Sequence, residues 1–207
     1  MVSRVPLETS AAPLCHICRR GLYDFDFARS YGVYSSAMAR AIILLKYHAV
    51  FPLGGWFARR LEETARTYPE GYAADIVVPV PVHRSRLRER GYNQAELIAR
   101  PLAKRLNIPV RSCLLVRTKP RPDKLRLTMR ERWRTVRGAY ATLEGARVDN
   151  LRVLLVDDVL TTGATLDACS RALRRAGAAQ VVALTVARAV PRREMPTLNP
   201  PAMEPDE

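Results

Sequence analysis

The sequence predicts an α/β domain with a mostly parallel central sheet flanked by helices. Three observations carry that prediction. The runs 76–80, 151–156 and 181–187 are short, nearly continuous in apolar residues and rich in Val, as expected of strands buried on both faces. Between the last two lies a helical pattern over 165–176, apolar at Leu166, Ala168, Cys169, Ala172, Leu173 and Ala176, with Gly177 as its stop. Strand, helix and strand at this spacing form a βαβ unit, whose strands pair in parallel. The chain has 207 residues, is 48% hydrophobic and 26% charged, and so holds one sizeable domain with small appendages.

Taken in order, residues 1–30 read as irregular, with Pro6, Pro13 and Gly21. Met38, Ala41, Ile42, Leu44, Leu45 and Ala49 recur at three- and four-residue spacing and predict a helix over 35–48. A second helical pattern covers 53–65, and Tyr68-Pro69-Glu70-Gly71 reads as a turn. Pro79 marks the end of the 76–80 strand, or a sheet edge, because it cannot donate to a ladder. Leu97, Ile98, Leu102 and Leu106 predict a helix over 93–106, in which Pro101 predicts a kink or an early stop. Residues 117–137 are dense in Arg and Lys, contain Pro120 and Pro122, and read as a long mobile loop. The proline-rich stretch from Pro191 reads as a disordered tail. Trp56, Phe57 and Cys169 read as core residues, and Cys113 stands in apolar surroundings.

The formal net charge is +14, and the excess is localised. Residues 84–137 hold 17 Lys or Arg against Glu89, Glu96, Asp123 and Glu131, a net of +13. A field so concentrated suits an anionic partner: the phosphates of a small molecule, nucleic acid or an acidic protein. Four cysteines, of which only Cys15 and Cys18 form a CxxC, are too few for a disulfide framework. Residues 1–14 show no apolar signal-peptide region, and the aliphatic run 41–45 is far too short to span a bilayer. A reducing cytoplasm and no membrane partner are the expectations.

The chemistry concentrates in Val153-Leu154-Leu155-Val156-Asp157-Asp158-Val159-Leu160-Thr161-Thr162-Gly163-Ala164-Thr165. An apolar strand ends in two carboxylates, a Thr- and Gly-rich loop follows, and a helix begins. The loop and helix start offer free N–H groups and the positive end of the helix dipole, which suit a phosphate. Gly163 permits close approach, and Thr161, Thr162 and Thr165 can donate hydroxyl hydrogen bonds. Carboxylates are acceptors, so Asp157 and Asp158 suit a diol. Phosphate on one side and two hydroxyls on the other describe a ribose 5-phosphate.

This segment resembles the signature that binds phosphoribosyl pyrophosphate (PRPP) in type I phosphoribosyltransferases. Val78-Pro79-Val80-Pro81-Val82-His83, then Leu87-Arg88-x-Arg90-Gly91-Tyr92-Asn93-Gln94, resembles the ComF family (competence protein F, GntX-like) within that superfamily. So do Leu127 to Arg132, Val136 to Tyr140, and the helix bearing Tyr34, Ile42, Lys46 and Tyr47. The resemblance implies the type I phosphoribosyltransferase fold with a small N-terminal helical hood over the strand ends. It also implies three regions: a degenerate zinc-finger remnant at 1–30, a phosphoribosyltransferase-like domain at 31–190 and the tail at 191–207.

By resemblance, Asp157 and Asp158 hold the ribose as the catalytic pair. Val159, Thr161, Thr162, Gly163, Ala164 and Thr165 complete the PRPP loop. Pro81, Val82, His83, Arg88 and Arg90 face the pyrophosphate, and Arg132 belongs to a flexible loop that closes over it. Magnesium is implied with PRPP, held by few protein ligands. Zinc is not expected, because Cys15 and Cys18 alone cannot close a tetrahedral site. Thr161 stands where many purine-salvage relatives place a carboxylate base, so a purine acceptor is disfavoured. The function implied is transfer of phosphoribosyl to a nitrogen nucleophile with release of pyrophosphate. Two alternatives stand beside it: a non-catalytic competence component engaging single-stranded DNA or a helicase through 84–137, and a PRPP-sensing regulator. The resemblance also admits a homodimer.

Overall fold

A computed structural model describes residues 23–67, 72–120 and 128–190, apart from the side chains of Met129 and Arg132. The turn at 68–71, the CxxC and the 191–207 tail lie outside the described residues. Among the described residues six strands and six helices follow in the order β1 (Phe27–Val33), α1 (Ser36–Tyr47), α2 (Pro52–Thr67), β2 (Ile76–Pro79), α3 (Arg84–Arg90), α4 (Gln94–Leu106), β3 (Leu115–Arg117), α5 (Met129–Val136), β4 (Tyr140–Thr142), β5 (Arg152–Leu160), α6 (Ala164–Arg175) and β6 (Gln180–Arg188). The central sheet has the order β1-β6-β5-β2, and every pair in it is parallel. β3 and β4 form a separate antiparallel pair.

β5 has helices on both sides, which is why its sequence is an unbroken apolar run. Val153 and Leu155 join a core with Cys169 and Leu173 of α6 and Tyr140 of β4. Leu154 and Val156 join a second core with Ile42 and Leu45 of α1, Phe57 and Leu61 of α2, and Ile98 and Leu102 of α4. Pro79 closes β2, which is also the sheet edge, so both expectations for it hold.

Four sequence expectations are corrected. Residues 1–30 were expected to be irregular, but Phe27–Val33 forms edge strand β1, crossing the boundary expected at 30/31. Its sequence hides this because its contacts are partly polar: the Ser30 and Thr185 hydroxyls lie 2.6 Å apart. Pro101 does not stop α4, which runs to Leu106. The Leu97 carbonyl, deprived of a donor four residues on, lies against Gly54 of α2, where a Cβ would approach it to 2.5 Å. A glycine on one helix thus accommodates a proline on the next. The 117–137 segment is not one loop, since β3 and β4 frame it and α5 occupies its second half. Thr128 starts that helix with a capping box, accepting from the Glu131 N–H while Glu131 accepts from the Thr128 N–H. Finally, Trp56 and Cys113 are exposed where core or apolar surroundings were expected, whereas Phe57 and Cys169 are fully buried.

Candidate functional site

β5 continues four residues past the end of its pairing with β2, which stops at Pro79 opposite Val156. Asp157 and Asp158 therefore lie within the strand, not at its end as expected, and Val159 is a strand residue too. On the β6 side the pairing runs on to Leu160 opposite Arg188. On the β2 side the ladder edge is open from Asp157 onward. The Val80 N–H donates to the Val156 carbonyl at 2.9 Å, and the chain then leaves β5, His83 forming a parallel bridge with Arg117. The end of β2 and the acid pair of β5 thus lie on neighbouring strands, joined past Pro79 by that Val80–Val156 hydrogen bond.

The two acids are both buried, at 8% and 5% exposure, yet are pushed in opposite directions by their surroundings. The Asp158 N–H donates to Asp157 Oδ1 at 2.8 Å, and the Val159 N–H donates to Asp158 Oδ1 at 2.9 Å. Lys46 Nζ, on α1, donates to Asp158 Oδ2 at 2.5 Å. Burial pushes the Asp157 carboxyl up to about 8, helped by the charge of Asp158. Burial acts the same way on Asp158, but the charge and hydrogen bond of Lys46 overcome it and hold Asp158 below the usual carboxylate range. At neutral pH the pair is one carboxylic acid hydrogen-bonded to one carboxylate. The expected acid pair is present, with its two carboxyls pushed in opposite directions.

The turn after β5 has the expected form. Gly163 takes φ +77° and precedes α6 as its N-cap. The N–H groups of Thr162 and Gly163 make no hydrogen bond among the described residues. Thr162 Oγ1 accepts from the Ala164 N–H at 3.4 Å, a long contact, and Thr161 is exposed. Thr165 reaches the Tyr140 phenol, to which Arg117 also donates at 3.0 Å.

Sequence reasoning missed Tyr23. Its hydroxyl donates to the Thr162 carbonyl at 2.9 Å, and a Cβ on Gly163 would lie 2.9 Å from its ring. Tyr23 stacks between Phe25 and Trp133, with centroids 4.5 and 5.8 Å away. Trp133 thus packs against the tyrosine that buttresses the turn. Gly163 is the one residue type that satisfies both the left-handed backbone and the ring beside it.

Among the residues expected to face the pyrophosphate, His83 caps α3 by accepting from the Ser85 N–H at 3.2 Å. Arg88 is exposed, whereas Arg90 donates to Gln94 Oε1 at 2.6 Å and lies 5.0 Å from the Tyr47 ring centroid. Asn93 caps α4 and donates to the Val80 carbonyl at 3.1 Å, bracing the end of β2. Arg132 lies on α5 rather than on an open loop, and its side chain is outside the described part of the structure. A cleft of about 280 Å³ lies between α5 and α6, lined by Trp133, Arg134, Arg137, Tyr140, Arg171 and Arg175 among others. Neither the 161–165 turn nor the acid pair lines it. Among the described residues no three His, Cys, Asp or Glu side chains converge as a metal site. The acid pair is further engaged by a lysine, so the residues present do not by themselves form a magnesium site.

The phosphoribosyl transferase domain family matches residues 93–202, just over half of the chain. Competence protein F of Haemophilus influenzae is 28% identical over 179 residues, which are 84% of this chain and 78% of that protein. DNA utilization protein YhgH of Salmonella typhi is 36% identical over 107 residues, 52% of this chain and 46% of that one. The match therefore spans less than half of that relative's length. Glutamine phosphoribosylpyrophosphate amidotransferase of B. subtilis aligns in structure with a TM-score of 0.43 and 22% identity, over 64% of this chain and 26% of that one. With its parallel sheet, flanking helices and strand–acid pair–turn–helix signature, this chain belongs to the phosphoribosyl transferase domain family, in its competence protein F branch.

Proposed function

We propose that the protein binds PRPP with magnesium and transfers its phosphoribosyl group to a nitrogen nucleophile. The observation that carries this reading is the open notch of β5. It sets Asp157 and Asp158 directly before a turn whose Thr162 and Gly163 N–H groups make no hydrogen bond among the described residues. The ribose diol meets the acid pair, the 5-phosphate meets the 161–165 turn, and Arg88 faces the pyrophosphate. In the reaction the C1–O bond to pyrophosphate breaks, a C1–N bond forms, and the proton lost by the nucleophile passes to the departing pyrophosphate or to water. The protein contributes positioning and neutralisation of leaving-group charge. Magnesium bound with PRPP would supply further neutralisation of leaving-group charge, and no step is routed through a protein-held ion.

Calorimetry with PRPP and magnesium, followed by an acceptor screen for pyrophosphate release, tests this. Micromolar binding that is lost in Asp158→Asn is the expected result. No PRPP binding by the wild-type protein would refute it.

A second reading rests on a different surface. Arg134, Arg137 and Arg175 line the α5–α6 cleft beside Trp133 and make no side-chain ion pair among the described residues. Together with Arg171 they form a basic face suited to single-stranded DNA. That binding should weaken steeply with salt, fall on replacing the three arginines, and ignore Asp158→Asn.

A further inference from the structure

Helix α1 leaves the sheet where β1 ends, so its last turn lies over the strand ends, and there Lys46 meets Asp158. Two clamps fix that turn. Ile42 and Leu45 are buried in the α2–α4 core. The Tyr92 hydroxyl, just past α3, donates to the Leu45 carbonyl at 2.7 Å and accepts from the Ala49 N–H at 3.3 Å. Arg90 adds a guanidinium over the Tyr47 ring. The segment that follows the β2 turn thus holds the helix whose lysine holds the acid pair.

We propose that Lys46 is the positioning residue of the ribose site: delivered by the hood, its ammonium keeps Asp158 an ionised acceptor for a sugar diol and leaves the site without net negative charge toward the ligand's phosphates. The proposal rests on the PRPP reading above. Two adjacent buried carboxyls cannot both ionise without a counter-charge, and two bare carboxylates would repel a ligand that carries three phosphate groups. Lys46 supplies that charge from 112 residues away. The groups facing the pair are few. Lys46 comes from α1, Tyr140 from β4 and Cys169 from α6, while Tyr47 acts on Lys46 and Arg117 of β3 acts on Tyr140 and Cys169. Neighbouring strand β2, Ile76–Pro79, carries no titratable side chain. Lys46 is the one cation among these groups whose ammonium touches the pair.

The test has two arms on the full chain. In the first, carbon NMR follows the Asp157 and Asp158 carboxyls across pH, without ligand, in wild type, Lys46→Met and Lys46→Arg. Asp158 should be ionised at neutral pH in the wild type, shift upward by ~2 pH units or more in Lys46→Met, and return in Lys46→Arg. In the second arm, PRPP with magnesium is titrated calorimetrically. Wild type should bind ~10-fold or more tightly than Lys46→Met in mildly acid solution, and the ratio should narrow as pH rises. An Asp158 whose titration does not move upward in Lys46→Met, or an affinity ratio flat in pH, overturns the proposal. Should Lys46→Met fail to fold, the double variant with Asp158→Asn should fold, because it leaves no lone charge; its failure also counts against the proposal. Wild-type protein that binds no PRPP, with the carboxyl shift as expected, refutes the ribose reading while the charge role of Lys46 stands.

Discussion

Asp157 and Asp158 are sequence neighbours of one residue type, nearly equal in burial, and the fold treats them oppositely. Asp157 lies toward Cys169 and Tyr140, where burial acts without a cation in contact, and it stays protonated up to about pH 8. Asp158 lies toward the hood, where Lys46 holds it ionised. The difference teaches that a paired-acid motif specifies position and not protonation state. The state comes from whatever the alternate faces of the strand are packed against.

The comparison can be broken most directly at the acids. Asp158→Asn should weaken PRPP binding ~100-fold, since it removes an ionised acceptor and leaves Lys46 uncompensated. Asp157→Asn should cost less than ~10-fold, because an amide resembles the neutral carboxyl it replaces. Equal losses in the two variants, measured by calorimetry near pH 7, would show that the acids share one state.

A second prediction concerns stability. The folded-state pKa of Asp157 is raised, so its neutral form stabilises the fold fully below the ordinary carboxylate value, and that contribution is lost as pH rises through about 8. Asp158 has the opposite sign: its contribution is present above the ordinary value and disappears as pH falls through its lowered pKa. Asp157→Asn should therefore gain stability over wild type with rising pH, on the order of 1 kcal/mol per unit between the ordinary value and about 8. Denaturant melts across that range measure the slope, and parallel curves for the two proteins would contradict it.

Smaller effects sharpen the picture of the turn. Gly163→Ala forces a Cβ onto the Tyr23 ring in a left-handed backbone and should cost ~1–2 kcal/mol. Tyr23→Ala in that background should recover the steric part and leave the backbone part, which thermal melts of the pair would separate. Thr162→Val should lower stability by a few tenths of a kcal/mol, about the worth of one long hydrogen bond, while reducing PRPP affinity more clearly.

What the sequence determined was everything carried by local periodicity and composition. The strands around Val78, Leu155 and Ala183, the helix bearing Cys169, and the acid pair followed by a Gly-Ala-Thr turn were legible because each is a pattern within a dozen residues. The edge strand at Phe27–Val33 was not, because its register is set by Thr185 and the rest of β6 rather than by its own alternation. Pro101 within α4 could not be judged without Gly54, nor the demands on Gly163 without Tyr23. The charge of the site escaped the sequence for the same reason. Burial and a lysine 112 residues away decide whether a carboxyl keeps its proton, and only the folded chain brings them together.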